Sequence, residues 1–568
     1  MVKNETRMHY YAGAGREPAN TKQKENDMEK NHTGFRKFGT MLDCSRNAVM
    51  SADSVKKWID LTADLGYNAL LLYTEDTYEI SGQPYFGYMR GRYSQEELKE
   101  LDSYALSKGM ELIPCIQTLA HMNALVRWPA YAEHIDTDDI MLAGDPFVYD
   151  LIDQMFAMLS QCFTSRNINI GMDEAHMIGR GKYYDLHGDT DRTQLLVDHV
   201  QKVAQIGEKY GFTLTMWSDM FFRLAAGGEY YDANAPIDEK VKEQIPSNVQ
   251  LVYWDYYSQD KAHYDGMIST HKKLDANTWF AGGLWCWSGF APHNGFSMRC
   301  TDAALASCRE YGVQDVFLTM WGDDGGECSK FALLPALFYS AELAKGNTDL
   351  TSIKEKFQEK YGIAFDSFLL LDLPGTPGSA EERIYNPDKY LLYNDCFTGL
   401  MDSTLAGDEG EKYAACAKQL AQVGKGTKWE CLFATQQALC EVLAVKAGLG
   451  VKTRKAYAEK DKAALEEAMA DYRTLLEKLE HFHKTYQKQW FAENKPHGFD
   501  VQDIRLGGLI MRVRSCLDRL ADWQEGRISI IEELEENQLP VLGQQTQPGE
   551  PVEFNSWGRA STANVLIF

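Results

Sequence analysis

A chain of 568 residues exceeds one ordinary domain, so two or three are expected, and 44% hydrophobic with 12% aromatic content supports a sizeable core rather than disorder. A formal net charge of −24 argues against nucleic acid and anionic membrane as partners, because both repel an acidic surface. No apolar run reaches the roughly 18 residues that span a bilayer. Met1 to Met28 carries no apolar signal core, and the 12 cysteines are scattered without a C-x-x-C pair. That usage fits reduced thiols in a cytoplasm better than a disulfide framework or a zinc site.

In chain order, residues 1–35 are polar and aperiodic, and read as a flexible leader or the remnant of a small preceding domain. From Phe38 short apolar runs alternate with longer amphipathic segments. The runs are Phe38–Asp43, Asn68–Thr74, Met110–Ile116, Ile168–Met172, Phe212–Trp217, Val249–Trp254, Thr278–Leu284 and Asp315–Trp321. Between them lie helical patterns at Val55–Leu65, from the Ser94–Glu97 capping box to about Lys108, and at Asp189–Tyr210, Asp302–Tyr311 and Lys330–Leu343. Strand–helix alternation forces parallel strands joined by crossovers. Eight units over residues 36–347 match a closed (β/α)8 TIM barrel, and no glycine-rich phosphate loop follows the first strand to favour an open doubly wound sheet. Residues 348–540 read as a mostly helical C-terminal domain, with segments at Lys412–Val423, Trp429–Leu449, Lys460–Thr485 and Val501–Glu525. The stretch Trp490 to Asp500 is expected to connect two helices rather than reach the barrel. Residues 541–568 read as a loosely ordered tail whose apolar end, Ala563–Phe568, could dock on the body.

A barrel places its chemistry on the loops after the strands. Every predicted strand end offers a charged or aromatic residue: Asp43–Arg46, Glu75–Asp76, Gln117–His121, Asp173–His176, Trp217–Asp219, Tyr253–Tyr256, Trp285–Trp287 and Trp321–Asp324, with Glu327 beyond. After the fourth run stand two adjacent acids, Asp173 and Glu174. Closely spaced carboxylates cannot both ionise cheaply, so one is held towards the proton-donating form. On their own the two acids also fit a solvated turn or a pair of metal ligands. Tryptophan faces stack on pyranose rings while carboxylates and Arg bond hydroxyls, so the ligand expected is a sugar. A glycosidase ordinarily needs a second carboxylate across the ring, but the seventh strand ends in Trp285-Cys-Trp287 and supplies none. The remaining solution lets a 2-acetamido group attack the anomeric carbon, which leaves the protein to provide one acid and one stabiliser of the amide.

The run I-G-M-D-E at Ile170–Glu174 resembles the strand-four signature of glycoside hydrolase family 20, the β-N-acetylhexosaminidases. The resemblance extends from Thr40 to Asp324, through D-C-S-R at Asp43–Arg46, Y-T-E-D at Tyr73–Asp76, the run ending at His121, Tyr253-Trp-Asp255 and Trp321-Gly-Asp323. It looks most like an intracellular bacterial, exo-acting subgroup with a helical C-terminal domain. The resemblance implies Glu174 as general acid and then base, Asp173 as partner of the acetamido nitrogen, and Tyr253 as donor to the acetamido oxygen. It implies Trp217, Trp285, Trp287 and Trp321 as walls, Arg46, Asp255 and Asp323 as hydroxyl ligands, and Glu75 with His121 as a shell tuning Glu174. His176 is expected to be structural. The implied substrate is a glycan ending in β-linked N-acetylhexosamine, with no cofactor and no metal, and a homodimer is compatible.

Three departures stand out. Met172 occupies the position of a usual glycine. Asp323 replaces a longer glutamate, which nominates Asp324 or Glu327 as a substitute. The small domain that commonly precedes the barrel is largely missing. Competing readings are a sugar-binding barrel that does not cleave, an O-GlcNAcase-like hydrolase (disfavoured because that type resembles Asp-Asp), and a metal-dependent barrel hydrolase, for which only His121 and His176 are available.

Overall fold

The computed structural model of the chain describes residues 33–376, 383–541, 543 and 549–555. The leader before Thr33 and the apolar end Ala563–Phe568 lie outside the described residues.

Eight parallel strands close into a barrel in chain order: β1 Lys37–Asp43, β2 Ala69–Tyr73, β3 Glu111–Cys115, β4 Asn167–Asn169, β5 Thr213–Trp217, β6 Val249–Trp254, β7 Trp279–Gly283 and β8 Asp315–Met320. Closure is made by β1 on β8, paired from Lys37↔Asp315 to Leu42↔Met320. Strands such as Ala-Leu-Leu-Leu-Tyr of β2 are apolar end to end, because helices cover their outer face and the barrel interior fills the other. The helices start where the caps stand. Ser51 accepts the Ser54 N–H ahead of Ala52–Leu65, and Ser94 and Glu97 complete a reciprocal capping box ahead of Gln95–Ser107. Helix Pro146–Cys162, opened by the Asp145 cap and a first-turn proline, has no counterpart in the predicted elements. Helix Asn294–Glu310 starts well before the expected Asp302.

β4 is the exception to long pairing. It meets β3 only at Cys115↔Asn169 and ends at Asn169, short of the expected Met172. Gly171 and Met172 both have φ of 73°, so the chain leaves the pleat there. A Cβ at Gly171 would stand 1.9 Å from the Gln117 amide oxygen. The strand ends early because its backbone must wrap that side chain.

Beyond the barrel lie helices Leu350–Tyr361, Glu409–Val423, Glu430–Lys446, Leu449–Ala458, Lys462–Glu493 and Phe499–Gln524. The predicted Trp429–Leu449 segment breaks near Gly448, and the 32-residue Lys462–Glu493 overruns its expected end. The connector between the last two long helices does more than join them. Lys495 donates its N–H to the Val49 carbonyl at 2.8 Å and its ammonium to Glu97 at 2.9 Å, while the Asn47 side chain donates to the Gly498 carbonyl at 2.9 Å. Gly498 has φ of 91°, and a Cβ there would meet the Asn47 carbonyl at 2.3 Å, so only glycine permits this approach. The connector therefore braces the loop that follows β1.

A second brace is ionic. Lys389, wholly buried, donates to Glu327 Oε1 at 2.9 Å, and Arg505 donates to the same oxygen at 3.0 Å. Both also bond the Asp324 carbonyl. A buried carboxylate between two cations is costly to leave half paired. Lys389→Met is expected to destabilise the protein by about 3 kcal/mol, read as a fall in the urea midpoint. Adding Glu327→Gln should restore part of that loss, whereas strictly additive losses would show the pair to be uncoupled.

Candidate active site

At the C-terminal mouth of the barrel the loop after β4 presents Asp173 and Glu174 in different surroundings. Asp173 is buried: Gln117 Nε2 donates to Oδ1 at 2.7 Å, and His121 Nε2 lies 3.1 Å from Oδ2. Gln117 also accepts the Met172 N–H at 3.1 Å, so one amide holds both the turn and the acid it delivers. Glu174 is half exposed, with Arg223 Nη2 at 3.8 Å from one oxygen and His121 Nε2 at 3.8 Å from the other. Its own N–H donates to Asp219 Oδ2 at 3.0 Å. Of the described non-glycine residues with positive φ, Asn47, His121, Met172, Glu174 and Asp324 all stand on loops at this mouth. Such backbone costs of order 1–3 kcal/mol per residue and persists where packing overdetermines it.

His121 continues the network to Arg46, its Nδ1 lying 3.3 Å from Nη2. Arg46 Nε donates to Glu75 Oε1 at 3.2 Å, and its other arm pairs with Asp323. Tyr73 donates to the same Glu75 oxygen at 3.0 Å. Burial would depress the His121 pKa, but the Asp173 carboxylate outweighs it and lifts the imidazole to about 9. Burial alone would raise Asp173, yet His121 and the Gln117 amide carry it below the ordinary carboxylate value. Asp219 differs: burial first, then the nearby Asp173 charge, push it up to about 7 against the pull of Arg223.

Two connected spaces open above these groups. The inner one, about 80 Å³, is lined by Arg46, Asp173, Glu174, Trp217, Trp254, Tyr256, Tyr257, Trp287, Trp321 and Asp323. The indole N–H groups of Trp217 and Trp254 are buried without a protein acceptor, which makes them donors available to a ligand. The outer space, about 560 Å³, shares Arg46, Glu174, Tyr257, Trp287 and Asp323 and adds His121, His176 and Trp285. Trp285 stacks behind Trp287 with centroids 4.1 Å apart and walls only the outer space. Among the described residues no group of three His, Cys, Asp or Glu side chains is arranged to hold a metal.

Several expectations need correction. Tyr253 is wholly buried on the outer side of β6, against His271, Tyr264 and Phe280, and its hydroxyl donates to Asp255 at 2.8 Å. The pleat explains why: neighbours on a strand face opposite sides, and Trp254 takes the pocket side. Asp255 follows Tyr253 outward, where His263 Nε2 meets it at 2.7 Å. Tyr256 and Tyr257 are the tyrosines of the pocket. Glu75 is buried behind Arg46 and touches neither space, so it orders Arg46 rather than sugar. Glu327 faces the helical domain, which leaves Asp323 and Asp324 at the mouth. His121 bonds Asp173 more closely than Glu174. Gln117, Asp219 and Tyr256 stand in the strand-end segments singled out from sequence, without a role assigned; Arg223, four residues past Asp219 on the helix Asp219–Ala225, was signalled only by that spacing.

A closed parallel barrel carrying adjacent acids after β4 and an aromatic pocket around them is the architecture of a glycoside hydrolase. Residues 35–267 match the family model described as glycosyl hydrolase family 20, catalytic domain, and residues 366–552 match the glycoside hydrolase 20C C-terminal domain, together about three quarters of the chain. The chain belongs to glycoside hydrolase family 20. Hexosaminidase D of Bos taurus is 24% identical over 246 residues, 42% of this chain and 67% of that protein, and human hexosaminidase D is 26% identical over 35% and 40% respectively. A solved family 20 exo-β-N-acetylglucosaminidase of Vibrio harveyi is similar at 16% identity and a TM-score of 0.44, covering 59% of this chain and 58% of that one. The chain thus spans less than two thirds of several of these relatives.

His121→Leu is expected to lower stability by about 3 kcal/mol near pH 6, since Asp173 would keep a buried charge without its cation. A raised histidine contributes fully below its ordinary 6.5 and loses that contribution as pH rises through about 9. The lowered Asp173 contributes above the ordinary carboxylate value and loses it as pH falls through its own depressed value. The gap between wild type and variant in denaturant unfolding should therefore be widest from about pH 4 to 6.5 and close on the alkaline side.

Proposed function

We propose that the protein is an exo-acting, retaining β-N-acetylhexosaminidase, which removes terminal β-linked GlcNAc or GalNAc by substrate-assisted catalysis. The observation that carries this reading is the unequal pairing of the two acids. Asp173 accepts from Gln117 on one oxygen and from His121 on the other and is kept ionised, with lone pairs left for an acetamido N–H, as a stabiliser of developing positive charge on that nitrogen must be. Glu174 stays half exposed at the junction of the two spaces, within reach of a leaving oxygen.

In this mechanism the acetamido oxygen attacks the anomeric carbon as the glycosidic bond breaks, and Glu174 delivers its proton to the departing oxygen. An oxazolinium forms, its nitrogen facing the Asp173 carboxylate. Glu174, now a carboxylate beside Arg223, takes a proton from water, and the water oxygen opens the ring with overall retention. Trp217, Trp321 and Trp287 supply apolar faces, and the Arg46–Asp323 pair supplies a donor and an acceptor for ring hydroxyls. A tyrosine hydroxyl for the acetamido oxygen comes from Tyr256 or Tyr257 in place of Tyr253. The twelve free thiols, eleven of them buried, support a reducing, cytoplasmic setting.

Glu174→Gln is expected to reduce turnover of an aryl N-acetyl-β-glucosaminide by several orders of magnitude while KM changes little. Asp173→Asn should cost about 100-fold or more on that substrate, in the range of one lost oxyanion-type contact. An activated aryl glucoside lacking the acetamido group should not be turned over by either protein, because it carries no internal nucleophile. Wild-type turnover of that glucoside at a rate near that of the acetamido glycoside would remove Asp173 and the acetamido group from the proposed roles, and wild-type protein that binds but never cleaves the acetamido glycoside would make this a sugar-binding barrel.

A further inference from the structure

The outer space is walled on one side by residues distant in sequence. Glu553 and Asn555, from the last described stretch of the chain, line it together with Asp138 and Asp139 of the segment between β3 and β4. Buried Val552 anchors the start of the stretch, and one wholly buried side chain holds its end. Asn386 donates through Nδ2 to the Phe554 carbonyl at 2.9 Å and to the Ser288 carbonyl at 2.8 Å, and its Oδ1 accepts the Phe554 N–H at 2.9 Å. Ser288 follows Trp287, so the same amide fixes the tail relative to the pocket wall. Asn555 in turn donates to Glu553 Oε1 at 3.1 Å.

Glu174 lies on the boundary between inner and outer spaces. An acid that protonates a leaving oxygen must touch it, so whatever hangs from that oxygen occupies the outer space. The charge there is one-sided. Asp138, Asp139, Asp324 and Glu553 face it, although burial raises Asp324 to about 7 and partial desolvation also raises Glu553 against the pull of Asn555 and His293, while the nearby cations are already committed: Arg46 to Asp323 and Glu75, His121 to Asp173. Burial and the neighbouring Arg223 hold His176 below its ordinary value, so it adds no charge at neutral pH.

We propose that Glu553 and Asn555 complete a binding chamber for the leaving group, and that Glu553 makes the enzyme favour neutral or cationic leaving groups over anionic ones. This deepens the hexosaminidase reading and rests on it. Glu553 keeps an exposed surface, so a like charge about 6 Å away is screened by water and changes a rate about threefold.

The test uses the full chain and three aryl N-acetyl-β-glucosaminides carrying a carboxamide, a carboxylate or an aminomethyl group on the ring. For each substrate the kcat/KM of E553Q is divided by that of wild type, which cancels the differing reactivity of the leaving groups. The quotient for the carboxylate should exceed that for the carboxamide about threefold, and the aminomethyl quotient should fall below both. Asn386→Ala, which keeps the Glu553 carboxylate but frees the stretch that carries it, should move the quotients the same way, and 1 M salt should compress them. Quotients equal within twofold across the three substrates would overturn the role of Glu553 and leave the hexosaminidase reading standing. Wild-type protein that turns over none of them would overturn both.

Discussion

The mouth of this barrel depends on one buried line of charges running from Glu75 through Arg46 and His121 to Asp173. Arg46 bonds Glu75 and His121 bonds Asp173, while the step between them sets two cations 3.3 Å apart that the flanking carboxylates hold together, and each member lies mostly out of water. In low dielectric such a line is expensive unless complete, so no member can leave without stranding another. Completeness makes it useful. It keeps Asp173 ionised, holds His121 protonated, and turns Arg46 so that its remaining arm meets Asp323 across the pocket. Loops from β1, β2, β3, β4 and β8 are thereby tied together by electrostatics at the place where strand pairing has ended.

The helical domain finishes what that line begins. The β8 loop carries Asp323 at its start, then turns through Asp324 with φ of 60°. The loop is held from outside by Lys389 and Arg505 on the Asp324 carbonyl and by Gln502 and Asn47 on the Gly325 carbonyl. Asn47 is also the residue that the connector at Gly498 grips. The two loops that present Arg46 and Asp323 are therefore fastened to the same helix and its preceding turn. An aspartate, one methylene shorter than a glutamate, needs such fastening, because its reach is set by the backbone beneath it.

What was legible in the sequence follows from which signals are local. Apolar runs and capping residues such as Ser94 and Glu97 report on their own neighbourhood, so strand order, most helix starts and the barrel itself could be read from them. The acid pair and Arg46 could be found because a strand end next to a charged residue is also a local pattern. The direction of a side chain at the end of a strand is not. Tyr253 and Trp254 differ by one residue and hence by one face of the sheet, and only packing against His271 and Tyr264 decides which of them turns inward. Contacts across hundreds of residues, such as Lys495 with Glu97 or Glu553 with the mouth, leave no periodic trace and were invisible for that reason.

Met172 joins these levels. Its φ of 73° is one that an L residue adopts only at a cost. Glycine would relieve that strain but would surrender a wholly buried side chain and free the unfolded chain further. The site keeps methionine because Gln117 holds the turn from below, accepting the Met172 N–H while donating to Asp173. The same amide thus stabilises an unfavourable backbone and orients the carboxylate that the backbone delivers. A turn that would otherwise relax towards the strand is kept bent, and the bend sets Asp173 and Glu174 in two environments instead of one. Their chemical inequality is a consequence of backbone geometry before it is one of charge.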